Sequence, residues 1–123
     1  MGISLRKLVK SFYYAQRGLV YVIKNEQNFR IQLIIGILVI IAMILLQVEI
    51  WQAIVLLMLI LTVLVLELIN TIFEKIVDIL KPRIHFYVEI IKDIMAAAVL
   101  LASIGAALIA FLIFVPYLIA FFN

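Results

Sequence analysis

Four polar side chains, Glu67, Asn70, Glu74 and Asp78, recur at steps of three, four and four in the stretch ELINTIFEKIVD. In a helix those steps lay all four along one face. The preceding residues 53–66 carry Thr62 as their only polar side chain, so the face begins inside a segment that reads as membrane-spanning. Ionisable groups there are costly and mark function by default. Glu67 and Glu74 are about 10.5 Å apart along a helix axis, too far to share one ion without a partner, which favours different jobs. Glu67 lies deeper, where scarce water suits it to general-base work on a buried hydroxyl. Glu74 and Asp78, nearer water, suit a hard cation such as Mg²⁺. Glu26 can complete the metal set, Lys92 can neutralise phosphate oxygens, and Asn70 can orient either group. Carboxylates, Mg²⁺ and a lysine without covalent chemistry are the recurring parts of phosphoryl transfer.

Taken singly, each residue has a plainer use. Glu67 would serve as an interhelical ion-pair partner or a channel-ring residue, and Asn70 as helix–helix glue. Lys92 and Asp93 would anchor a helix start at the interface, and His85 would be a solvated connector residue. Their coincidence at one depth argues for a shared site. The four glycines, Gly2, Gly18, Gly36 and Gly105, are isolated, so there is no phosphate-cradling Gly-rich loop. The absence of cysteine excludes disulfides, thiol nucleophiles and thiolate metal sites.

The elements that must position these residues are helices. With 69% hydrophobic and 14% charged residues and a mean hydropathy of +1.36, the chain is a single-domain polytopic α-helical membrane protein. Residues 5–24 set Leu5, Leu8, Val9, Phe12, Leu19 and Ile23 against a stripe of Lys7, Lys10, Tyr14, Arg17, Tyr21 and Lys24. This predicts an amphipathic helix lying in the membrane interface. A polar hinge at 25–30 leads to a first span at 31–48. A polar loop at 49–52, with Trp51 suited to the interface, precedes a helix over 53–80. Lys81-Pro82 marks a break, 83–89 a polar connector, and a third span follows at 94–115, ended or loosened by Pro116. Ala98, Ala102 and Ala106 form a small-residue stripe suited to close helix packing.

Six of the ten Lys and Arg precede residue 31, and the other four lie between 75 and 92. The positive-inside rule then predicts a cytoplasmic N-terminus and an outer C-terminus. The N-terminal charge points to membrane lipids or an anionic substrate; nucleic acid is a poor partner, with no soluble domain to present a basic groove.

Glu67-Leu-Ile-Asn70-Thr-Ile-Phe-Glu74, then Asp78, His85, Lys92-Asp93 and Ala97-Ala98-Val99, resembles the bacterial diacylglycerol kinase/undecaprenol kinase family. Asn25-Glu26 with Phe29-Arg30 fits the same pattern, and the likeness runs from about residue 5 to 118. The ending Leu112-Ile-Phe-Val-Pro116 is more similar to the Gram-positive, undecaprenol-type branch. The resemblance implies a homotrimeric lipid kinase of the bacterial inner membrane, with a surface helix and three spans per subunit and sites shared between neighbours. It implies ATP as donor, Mg²⁺ as cofactor and a lipid alcohol as acceptor, undecaprenol first and diacylglycerol second. By position it makes Glu67 the catalytic base and Glu26 and Glu74 the metal carboxylates. Asn70, Lys92 and Asp93 fall in the active site, and Tyr14 and His85 on the nucleotide side. The chain departs from the family pattern at Ile72-Phe73 and at Arg83-Ile84, where a base replaces an acid. An oligomeric membrane channel and a degenerate kinase are the alternative readings.

Overall fold

The structure, a computed structural model, describes residues 1–80 and 85–123, with His85 described by its backbone alone. The break expected at Lys81-Pro82 and the departure at Arg83-Ile84 lie outside these residues. Four helices follow one another: α1 (Leu5–Asn25), α2 (Gln27–Leu46), α3 (Ile50–Leu80) and α4 (His85–Phe122). The last three are long and apolar enough to cross a membrane by length and composition.

The expected hinge at 25–30 shrinks to one extended residue, Glu26 (φ −114°), with α2 starting at Gln27. The polar residues of this stretch cap helices instead of forming a loop. The Arg30 guanidinium donates to the Ile23 and Lys24 carbonyls, each at 2.9 Å, and the Asn25 amide to the Tyr21 carbonyl at 2.8 Å. The two Arg30 bonds satisfy carbonyls that the end of α1 leaves without partners.

At the other end of α2 the first span closes at Leu46, two residues before the expected boundary. Gln47 turns left-handed (φ 52°) and the Val48 amide reaches back to the Met43 carbonyl at 3.3 Å, the bonding of a Schellman ending. The expected loop at 49–52 is also shorter, because α3 starts at Ile50. The side-chain oxygen of Gln52 accepts from the Glu49 amide at 3.2 Å, capping the first turn.

α4 differs most from expectation. It begins at His85, inside the expected polar connector, and continues through Pro116 to Phe122. Proline removes one backbone donor and crowds the preceding turn, yet apolar surroundings leave a helix the cheapest backbone state. Tyr117, next to it, is held from outside: its hydroxyl donates to Gln52 and accepts from the Glu49 amide.

α3 is the central element, packing most extensively on α4 and then on α2, while α1 touches α2. Met43, Leu56 and Ile113, one from each of the three long helices, form a buried apolar cluster between them. α2 approaches α3 closely at Gly36, where a Cβ would meet Ile60 Cγ2 at 2.9 Å.

Candidate functional site

Glu67, Asn70 and Glu74 project from one face of α3 into a cavity of about 310 Å³. α2 closes one side with Asn28, Ile31 and Gln32. α4 closes the other with Ala96, Val99, Leu100 and Ser103. Steps of four, three and four bring 92, 96, 99 and 103 to one face of α4, and the small Ala96 leaves room beside the carboxylates.

Within this cavity Glu67 is 5% exposed and Asn70 8%. The Asn70 amide donates to Glu74 Oε1 at 3.1 Å, which fixes the orientation of that carboxylate. Thr71 is buried beside them, and its hydroxyl is satisfied by the Glu67 carbonyl at 3.0 Å. Among the described residues no Lys, Arg or His pairs with Glu67 or Glu74. Glu74 and Glu26 both lie near enough to Glu67 for like-charge interaction. A buried acid without a cationic partner is expensive, so Glu67, buried beside a half-buried Glu74, makes an arrangement that a divalent cation would relieve.

The other expected residues lie around this centre. Glu26, half-buried at the α1–α2 break, has Oε1 3.8 Å from Lys75 Nζ. That ammonium also sits 5.7 Å from the Tyr21 ring centre. Lys92 is half-buried on the cavity face of α4 and pairs with Asp78 at 3.8 Å. Asp93 is exposed on the next position. Tyr14 is exposed on α1, with its ring against Tyr13 at 5.9 Å, and is not brought to the cavity. The His85 side chain lies outside the described residues. No group of three His, Asp or Glu gathers tightly enough to form a complete metal site among the described residues.

Sequence reasoning missed Ser103 and Asn28 and left Gln32 without a role. The Gln32 amide donates to Ser103 Oγ at 3.1 Å across the cavity wall. A signal existed for this pair, since Ser103 is the sole polar side chain between Ile94 and Pro116. Hydroxyls and amides in apolar spans seek one another.

Three apolar helices enclosing a carboxylate–amide–carboxylate face define a helical membrane protein with an internal acidic site. The model of the prokaryotic diacylglycerol kinase family matches residues 13–114, and the chain belongs to that family. It is 38% identical over 114 residues to a diacylglycerol kinase of a Synechocystis strain, covering 92% of this chain and 65% of that protein. It is 32% identical over 115 residues to the undecaprenol kinase of Bacillus subtilis, covering 94% of each. The chain thus spans just under two thirds of the first relative's length and nearly all of the second's. No solved structure matches it significantly.

Proposed function

We propose that this chain is an ATP-dependent lipid kinase that phosphorylates a membrane alcohol at the cytoplasmic interface. The observation that carries the reading is the meeting of Glu67, Asn70 and Glu74 in one cavity between apolar helices. Glu67 takes the proton from the lipid hydroxyl while that oxygen attacks the γ-phosphorus. The bond from phosphorus to the bridging oxygen breaks, and ADP leaves with the electron pair. Asn70, through its bond to Glu74, holds the second carboxylate in register. Lys92 and Asp93 serve the nucleotide end, with Tyr14 and His85 contributing from α1 and the start of α4.

The donor set fits Mg²⁺: hard carboxylate oxygens, with no cationic partner at Glu74 among the described residues. Glu74 and Glu26 would hold the ion, which would neutralise charge on the transferring phosphoryl group. Glu26 then has to exchange Lys75 for the metal.

Undecaprenol is the leading acceptor, supported by the match to the Bacillus subtilis enzyme along nearly its whole length. Diacylglycerol is the second reading, favoured by the higher identity to the Synechocystis protein. The chain works as a homotrimer with shared sites, in the bacterial inner membrane, N-terminus inside and C-terminus outside. α1 lies along the inner surface, a placement supported by its exposed Leu5, Leu8, Val9 and Phe12. Purified protein in mixed micelles, given labelled ATP and each lipid separately, tests the reading. Label on one lipid supports it and selects the acceptor; label on neither, with Mg²⁺ present, refutes it.

A further inference from the structure

An apolar groove of about 250 Å³ adjoins the Glu67 cavity, floored by α3 and walled by α2 and α4. Gly36, Val39, Leu56, Ile60, Ala106 and Ala107 are among its lining residues. Gln32 and Ser103 line both the groove and the cavity, and the bond between them marks the boundary. The two spaces are therefore neighbours, one polar and one apolar, that share a single hydrogen-bonded pair.

An occupant of both spaces must have a polar head and an apolar body. An engineered apolar cavity of about 150 Å³ takes up benzene, so a groove of about 250 Å³ accommodates on the order of ten carbons. That is one hydrocarbon chain. Two acyl chains of that length need about twice the volume, and a helix of a second copy, about 10 Å across, needs more still. We propose that this groove holds the first ten or so carbons of a single-chain lipid alcohol, with the Gln32–Ser103 pair setting how far its hydroxyl advances toward Glu67. The assignment rests on the kinase reading of the Glu67 cavity.

A chain leaving a bilayer gains no hydrophobic free energy, because the lipid it leaves is equally apolar. What the groove supplies is packing and alignment of the hydroxyl, so its effect is sensitive to local bulk. Small residues at 106 and 107 keep it open.

The chain has no cysteine, so Ala107→Cys places a unique thiol in the groove. In mixed micelles a fifteen-carbon prenol should slow labelling of that thiol by an apolar maleimide at least fivefold. A five-carbon prenol at equal mole fraction should slow it less than twofold. Ala106→Leu, which fills the groove, should lower the kcat/KM ratio of the long to the short prenol about tenfold. Labelling unaffected by the long prenol, or slowed equally by both, would overturn the assignment. So would a ratio unchanged by Ala106→Leu, or a loss of cross-linked oligomer in that variant, which would mean that a second copy fills the groove. Labelling needs no nucleotide, so its outcome is separate from the kinase reading, which falls if the wild type transfers phosphate to neither prenol.

Discussion

At Gly36 α2 runs close against α3, and the cost of obstructing that contact can be worked out. A Cβ at position 36 would stand 2.9 Å from Ile60 Cγ2, about half an ångström inside the usual contact range between packed carbons. Ile60 is β-branched and stiff at χ1, so the methyl group cannot swing aside cheaply and α2 must withdraw. Overpacking of this kind costs about 1–3 kcal/mol. Gly36→Ala should therefore destabilise the chain by about 2 kcal/mol, less the few tenths to 1 kcal/mol that alanine gains over glycine in a helix. Ile60→Ala removes the obstructing methyl, so Gly36→Ala should cost almost nothing in that background. The double-mutant cycle then gives a coupling of about 1–2 kcal/mol. Unfolding by a denaturing detergent, followed by the fluorescence of the single tryptophan, Trp51, measures all four corners. Equal costs of Gly36→Ala in both backgrounds would refute the claim that this one methyl sets the α2–α3 approach.

Other perturbations test the positioning of the site. Arg30→Ala removes two charge-assisted bonds to the last carbonyls of α1, each worth about 1.5 kcal/mol or more when made. Amide exchange in the last turn of α1 should accelerate at least tenfold, with exchange in the middle of α3 unchanged. Lys75→Met removes the ammonium 3.8 Å from Glu26, so the Mg²⁺ concentration for half-maximal transfer should fall. Both partners are partly exposed and surface pairs of this kind are weak, so a change of only about two- to fivefold is expected in a Mg²⁺ titration.

Much of the site was legible because helical spacing is a local property. Steps of three and four put Glu67, Asn70 and Glu74 on one face, and the structure opens that face into a single cavity. Three apolar runs likewise announced three long helices. What escaped were residues whose roles depend on chain far away in sequence. Ser103 matters through Gln32, 71 residues distant, and neither carries a charge to draw notice. Arg30 looked like part of a polar hinge until its guanidinium was seen folded back on α1. Pro116 read as a helix end because its local cost is plain, whereas the bonds of Tyr117 to Gln52 and Glu49 arise only once α4 lies against the α2–α3 turn. The pairing of Lys92 with Asp78 was likewise hidden, since each was first read toward phosphate or metal.

The central claim is that Glu67 takes the proton of a lipid hydroxyl. Glu67→Gln keeps the shape of the side chain and removes the base. Transfer of labelled phosphate from ATP to undecaprenol and to diacylglycerol should be measured alongside binding of a Mg²⁺-nucleotide analogue. The account predicts a fall in kcat of about 10²- to 10⁴-fold on the accepted lipid, with nucleotide affinity within about threefold of the wild type, a difference under 1 kcal/mol. Retained transfer in Glu67→Gln, or loss of nucleotide binding in the same measure as transfer, would contradict it.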